Sequence, residues 1–122
     1  MMETRIQCTI PVLPIRDLKK SLKFYTDTLG FGVEWEGDVI ACVSRDGCCI
    51  MLSEIYQSDD PIWVWIGMRD DVLFDEYREK GVRVFQEAQN HEWAYEMKFL
   101  DIDGNVLWLG TGPKRDLPFE QD

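Results

Sequence analysis

The sequence predicts an α+β domain made of two β-α-β-β-β units in tandem, and three observations predict it. An apolar stripe of Leu18, Leu22, Tyr25 and Leu29 recurs at helical spacing between a capping Asp17 and a stopping Gly30. Tight-turn signals of the form Asp-Gly stand at Asp46-Gly47 and Asp103-Gly104, each between β-rich runs. The same punctuation returns half a chain later, with Gly30 and Gly81 51 positions apart and Gly47 and Gly104 57 apart.

Each element follows from local chemistry. Residues Ile6 to Val12 are β-rich and end at Pro11-Val12-Leu13-Pro14, where proline should stop a strand. The first helix follows from Leu18, with Lys19, Lys20 and Lys23 on its polar side. Three short strands are expected at about Val33 to Glu36, Val39 to Ser44 and Cys48 to Ser53. The polar run Gln57-Ser58-Asp59-Asp60-Pro61 reads as the link between halves. The second half then gives a strand through Trp63 and Trp65 and a short helix with Leu73, Phe74 and Tyr77. Further strands are expected near Arg83 to Gln86, Tyr95 to Leu100 and Val106 to Leu109. The expected organisation is one domain over 1–122: repeat one at about 5–56, repeat two at about 61–110 and a poorly ordered tail over 111–122.

Composition narrows the function classes. With 45% hydrophobic and 30% charged residues the chain reads as a soluble globular protein. Its apolar run Ile62 to Met68 is far too short to cross a bilayer. The N-terminal stretch lacks the apolar segment of a secretory signal, so a cytoplasmic location and no membrane partner are expected. Thirteen Lys and Arg against 23 Asp and Glu give a net charge of −10, which repels phosphate backbones and argues against nucleic acid. The acidity serves solubility, and it also offers a field for a cationic ligand. The four cysteines form no C-x-x-C pair and read as reduced, mostly buried thiols, with a cysteine metal site as the alternative.

A resemblance is carried by PVLPIRDLKKSLKFYTDTLGFGVEW, ACVSRDGCCIMLS, WVWIG and WAYEMKFLDIDGNVLWL, in that order over about Thr9 to Leu109. Together they resemble the vicinal oxygen chelate superfamily of glyoxalase I, extradiol dioxygenases and fosfomycin and bleomycin resistance proteins. The P-V-L start, the R-D hairpin, W-V-W and W-x-x-E-M ahead of D-x-x-G-N are most similar to the bleomycin resistance proteins. The resemblance implies a curved mixed sheet with a concave cleft, completed in a homodimer, with or without strand exchange. It also places the four metal-ligand positions of the superfamily's enzymes on Ile10, Met51, Trp63 and Trp108, none of which suits a divalent ion. No catalytic residue, metal or cofactor is therefore expected. The single histidine, His91, reads as a loop residue lacking the orienting partner a general base needs.

Side-chain alternation then phases the cleft. If Trp63 faces inward, so do Trp65 and, from the last strand, Trp108. Met51 inward brings Cys49 and Ser53 with it, and closing the hairpin pairs Cys42 with Met51 and Ile40 with Ser53. Pairing Lys98 with Trp108 turns Glu96 inward, a carboxylate among aromatic rings. That set suits a flat ligand bearing positive charge, through stacking, cation–π attraction and counter-charge. By resemblance Trp93 stacks on the planar arm of a drug, and Trp35 and Ile40 match aromatic drug-facing positions, although Ile40 is aliphatic.

The function expected is metal-free sequestration of a small planar or amphipathic cation, as in antibiotic resistance by drug binding. Two alternatives stay open. One is a glyoxalase- or dioxygenase-like enzyme with metal held by Glu96, Cys49 or a partner chain, and the other is an interaction or sensor protein whose aromatics fill the cleft.

Overall fold

A computed structural model describes residues 3–120 of the chain. Strand β1 (Val12–Pro14) is followed by helix α1 (Leu18–Lys23), β2 (Gly32–Glu36), β3 (Ile40–Arg45) and β4 (Cys48–Ser53). The second half repeats this order as β5 (Trp63–Gly67), α2 (Val72–Glu79), β6 (Arg83–Asn90), β7 (Tyr95–Leu100) and β8 (Val106–Thr111). The strands form two four-stranded mixed sheets, β1-β4-β3-β2 and β5-β8-β7-β6, and only the outer pairs β1/β4 and β5/β8 are parallel. The α+β class and the twofold β-α-β-β-β order are thus as the sequence predicts.

Helix α1 begins where Asp17 accepts a bond from the Lys20 N–H at 3.1 Å. Beyond Lys23 the winding loosens to a π turn over Phe24–Thr28, closed by the Leu29 N–H on the Phe24 carbonyl at 3.1 Å. Thr26 sits in that turn and donates its hydroxyl back to the Leu22 carbonyl at 2.8 Å, a back-bond that disturbs regular winding. All four stripe residues are buried. The β3–β4 hairpin turns at Asp46 (φ 52°) and Gly47 (φ 79°), the left-handed pair that a two-residue connection requires. It sets the register Cys42↔Met51 and Ile40↔Ser53, as alternation predicts.

One face of each sheet packs on the helices. Leu13, Ala41, Val43, Ile50 and Leu52 meet α1, while Met97, Phe99, Leu107 and Leu109 meet Phe74 and Tyr77, and the two sets join in one core. The halves are also tied by polar groups. The buried Asp101 carboxylate accepts from Tyr25 Oη at 2.8 Å, from Asn105 Nδ2 at 3.0 Å and from the Asp103 and Asn105 N–H groups at 2.9 Å each. Asn105 Nδ2 also reaches the Pro14 carbonyl at 3.0 Å. At the end of α1's run the Leu29 carbonyl accepts from Arg45 Nη1 and Tyr77 Oη, both at 2.7 Å.

Four expectations need correction. The first strand starts at Val12 and includes Pro14, while residues 3–9 are exposed and form no strand. Proline is tolerated because β1 is an edge strand. Strand β6 continues to Asn90, past the expected end at Gln86, and His91 follows it in the connection to β7, buried although its neighbours Glu92 and Trp93 are exposed. Of the cysteines only Cys42 is buried, with Cys8 and Cys48 exposed and Cys49 between; all four are free thiols. The tail is anchored as far as it is described, to Glu120: the Asn90 side chain bonds the Lys114 N–H and carbonyl, both at 2.8 Å, and the Glu120 N–H reaches the Asn90 carbonyl at 2.7 Å; residues 121–122 of the expected tail lie outside the described residues.

Burial pushes the Asp101 carboxyl above its ordinary pKa, and the donors around it pull the other way. Tyr25→Phe removes one donor from a buried carboxylate and should cost about 1–3 kcal/mol at neutral pH. The same change raises the folded-state pKa further. The variant's deficit should therefore shrink as pH falls and Asp101 protonates in both proteins. Urea denaturation at pH 7 and about pH 4 checks both statements; a deficit that grows on acidification would contradict this role for the carboxylate.

Candidate functional site

The faces turned away from the helices carry the residues singled out from the sequence. On the first sheet these are Trp35, Ile40, Cys42, Met51 and Ser53. Trp35 is exposed on edge strand β2, beside a register shift between Val33 and Trp35. Cys42 and Ser53 are buried, Ile40 and Met51 half-buried, and the Ser53 hydroxyl accepts the Ile55 N–H at 3.0 Å. On the second sheet lie Trp63, Trp65, Glu96 and Trp108, with Trp93 in the turn after β6. Among the described residues no hydrogen bond or ring contact joins the two sets, so each sheet presents its own half.

The second half is the more elaborate. Strand register aligns Trp65, Trp108, Lys98 and Gln86 in one row across the sheet, and Gly67, Gly110, Glu96 and Gln89 in the next. Trp108 is the centre of the aromatic group. Trp63, Trp65 and Trp93 each meet it edge to face, at centroid distances of 6.1, 5.1 and 5.8 Å and interplanar angles of 86–90°. Phe85 meets Trp63 in the same way at 5.9 Å. Trp63, Trp65 and Trp93 remain about half exposed, at 48, 47 and 54%. These three rings therefore form a surface with its own internal packing and its outer faces open.

Two glycines make room for it. Gly67 and Gly110 are register partners, and Trp65 lies over them. A Cβ built on Gly110 would stand 2.6 and 2.9 Å from Cζ3 and Cζ2 of Trp65 and closer still to Cη2. Any side chain at 110 would thus push the ring off the sheet.

The polar centre of the face is Glu96, 2% exposed. Trp108 Nε1–H donates to it, His91 Nε2 stands 3.1 Å from one oxygen, and Lys98 Nζ stands 3.5 Å from the other. The carboxylate that sequence reasoning offers to a cationic ligand is engaged by three groups of its own chain. His91 is 7% exposed, stacked on Trp93 at 5.0 Å and 8°, and 3.1 Å from Gln89 Oε1. It therefore has partners that the sequence did not reveal. Lys98 was also passed over as a site residue. Its ammonium lies 5.5 Å from the Trp63 ring centre and 5.2 Å from that of Trp108, and donates to Gln86 Oε1 at 2.8 Å. The signal was present, since alternation from Glu96 puts Lys98 on the same face, opposite Trp108.

A divalent metal, the cofactor of the enzymes that the sequence resembles, does not fit these residues. Met51, Trp63 and Trp108 present thioether and indole, and Ile10 lies outside any strand with no donor atom. Among the described residues no group of three His, Cys, Asp or Glu side chains could hold a metal ion. No described helix is long and apolar enough to cross a membrane.

Comparison with known proteins agrees with the topology. The family model described as Glyoxalase/Bleomycin resistance protein/Dioxygenase superfamily matches residues 7–109. The bleomycin-binding protein of Streptomyces verticillus, solved with copper(II)-bleomycin, is 23% identical, with 90% of this chain and 99% of that one covered and a TM-score of 0.77. TnmS3, an antibiotic binding protein from Streptomyces sp. CB03234, is 24% identical over 92% and 98% of the two chains, with a TM-score of 0.75. A glyoxalase/bleomycin resistance protein/dioxygenase from Nocardioides is 16% identical over 99% and 93%, with a TM-score of 0.73. At these identities the likeness is one of fold. No curated protein matches the chain.

Gly110→Ala should displace Trp65 and lower stability by about 1–3 kcal/mol, with a red shift of tryptophan emission. Adding Trp65→Ala should relieve most of that cost, and a double-mutant cycle by denaturation measures the relief. Additive effects would show that the ring does not depend on the glycine floor.

Proposed function

The chain belongs to the Glyoxalase/Bleomycin resistance protein/Dioxygenase superfamily, and from that premise we propose that it is a metal-independent binder of a flat, conjugated small molecule. The observation that carries this reading is the open aromatic face: Trp63, Trp65 and Trp93, each about half exposed, braced edge to face on Trp108. Rings braced in this way lose little further freedom when a planar molecule stacks on them, so binding is pre-organised. Two proteins of the same fold, one bleomycin-binding and one antibiotic binding, favour sequestration of a drug-like molecule over its chemical conversion. Sequestration needs no nucleophile or metal, and resistance follows from lowering the free drug concentration in the cytoplasm.

The two half-faces favour a homodimer as the working form. Trp35, Met51 and Cys42 sit on one sheet and the tryptophan group on the other, with the helical core between them. A second copy bringing its first sheet over the tryptophan face would close the cleft.

In EDTA, titration with planar aromatic probes should quench the tryptophan emission saturably. Trp65→Ala and Trp93→Ala should each weaken binding about tenfold or more while the protein stays folded, a loss on the scale of one stacking contact. Unchanged affinity in both variants would remove the face as the site. Metal analysis of protein purified without chelator should find less than one ion per chain, and a stoichiometric ion would overturn metal independence.

A further inference from the structure

Resting on the reading of the tryptophan face as a ligand site, we infer that its ligand carries acceptor oxygen and no positive charge, and that Lys98 is the residue that selects it. The sequence alone points the other way, toward a cation, because it shows a glutamate among aromatic rings and a net charge of −10.

Three observations reverse that expectation. First, Glu96 is not available as a counter-charge. Its side chain is 2% exposed and already receives the Trp108 N–H, His91 Nε2 and the Lys98 ammonium. Second, two of the four indoles of the face, Trp63 and Trp108, already have a cation against them. The Lys98 ammonium stands 5.5 Å from Trp63 and 5.2 Å from Trp108, so a second cation on those rings would meet it as a like charge. Third, donors here outnumber acceptors. A lysine ammonium has three N–H groups, and two point to Gln86 Oε1 at 2.8 Å and Glu96 Oε2 at 3.5 Å. With the Gln86 oxygen turned to Lys98, its Nε2 is buried with no hydrogen-bond partner. The third ammonium N–H, beside an aromatic surface, is met by a ligand that brings oxygen lone pairs.

The Lys98 side chain is 12% exposed and lies on the same face as the tryptophans. A flat conjugated molecule stacked on Trp63 and Trp65 with a carbonyl, phenolate or carboxylate at its edge would take the third ammonium proton. Exposed acids farther than about 8 Å from Lys98 do not change this local sign, because they are largely screened at physiological salt.

The test holds the ring system constant and changes only the charge. Acridine-9-carboxylate and 9-aminoacridine share one tricycle and carry opposite charges at pH 8. Calorimetric titration of the full chain in EDTA at physiological salt should find the carboxylate bound at least about tenfold tighter. Lys98→Met should cut the carboxylate's affinity by about tenfold or more and leave the amine's unchanged or improved. Equal or tighter binding of the amine to the unaltered chain would overturn the inference while leaving the tryptophan face standing, and this comparison needs no variant to fold. An unchanged preference in a folded Lys98→Met would overturn the role of Lys98. Binding of neither acridine would overturn both this inference and the reading of the face on which it rests.

Discussion

Among the polar ties between the two halves of the chain, the carboxylate of Asp101 is the most fully bonded. It is fully buried, and it is held by a tyrosine from the π turn that follows α1, by the Asn105 side chain and by two backbone N–H groups of its own turn. A buried charge is tolerated only when its lone pairs are filled, so the turn from Asp101 to Asn105 has little freedom in shape or place. That turn connects β7 to β8. Fixing it fixes the register that sets Lys98 opposite Trp108 and Glu96 opposite Gly110. The aromatic face on the far side of the sheet is therefore positioned from the core side.

On that face, charge is arranged more economically than the composition suggests. Glu96 and Lys98 lie two residues apart on one strand and neutralise one another, with His91 and the Trp108 N–H completing the shell of the carboxylate. The result is an indole surface whose polar centre is internally satisfied except on the donor side. Surface acidity and site charge are separate properties here, because the acids that make up the net charge are spread over the whole chain.

Much of this was legible in the sequence. Helical spacing and Asp17 located α1, Asp46-Gly47 set the β3–β4 register, and alternation placed Trp63, Trp65, Glu96 and Trp108 on one face. Each of these is a local rule with a fixed period. The failures came where long-range partners decide. Asn90 gave no sign that it would bind the tail, because the bonds reach 24 and more residues along the chain. His91 does lie in the β6–β7 connection, but the sequence gives no sign of its partners, Trp93 and Glu96, because that connection and not sequence spacing alone brings them to it. The strand expected before Val12 was read from β-propensity, which does not report whether a neighbouring strand is there to pair with.

The arrangement around Trp108 also bears on how the protein looks in circular dichroism. Three indoles with centres 5–6 Å from that of Trp108 couple their electronic transitions with it, and coupled transitions on a chiral scaffold give paired bands of opposite sign. Such bands overlap the amide region from which helix and strand contents are usually fitted. With two short α-helices among the described residues, the indole couplet would distort that fit, and the same couplet would report directly whether the aromatic group is assembled.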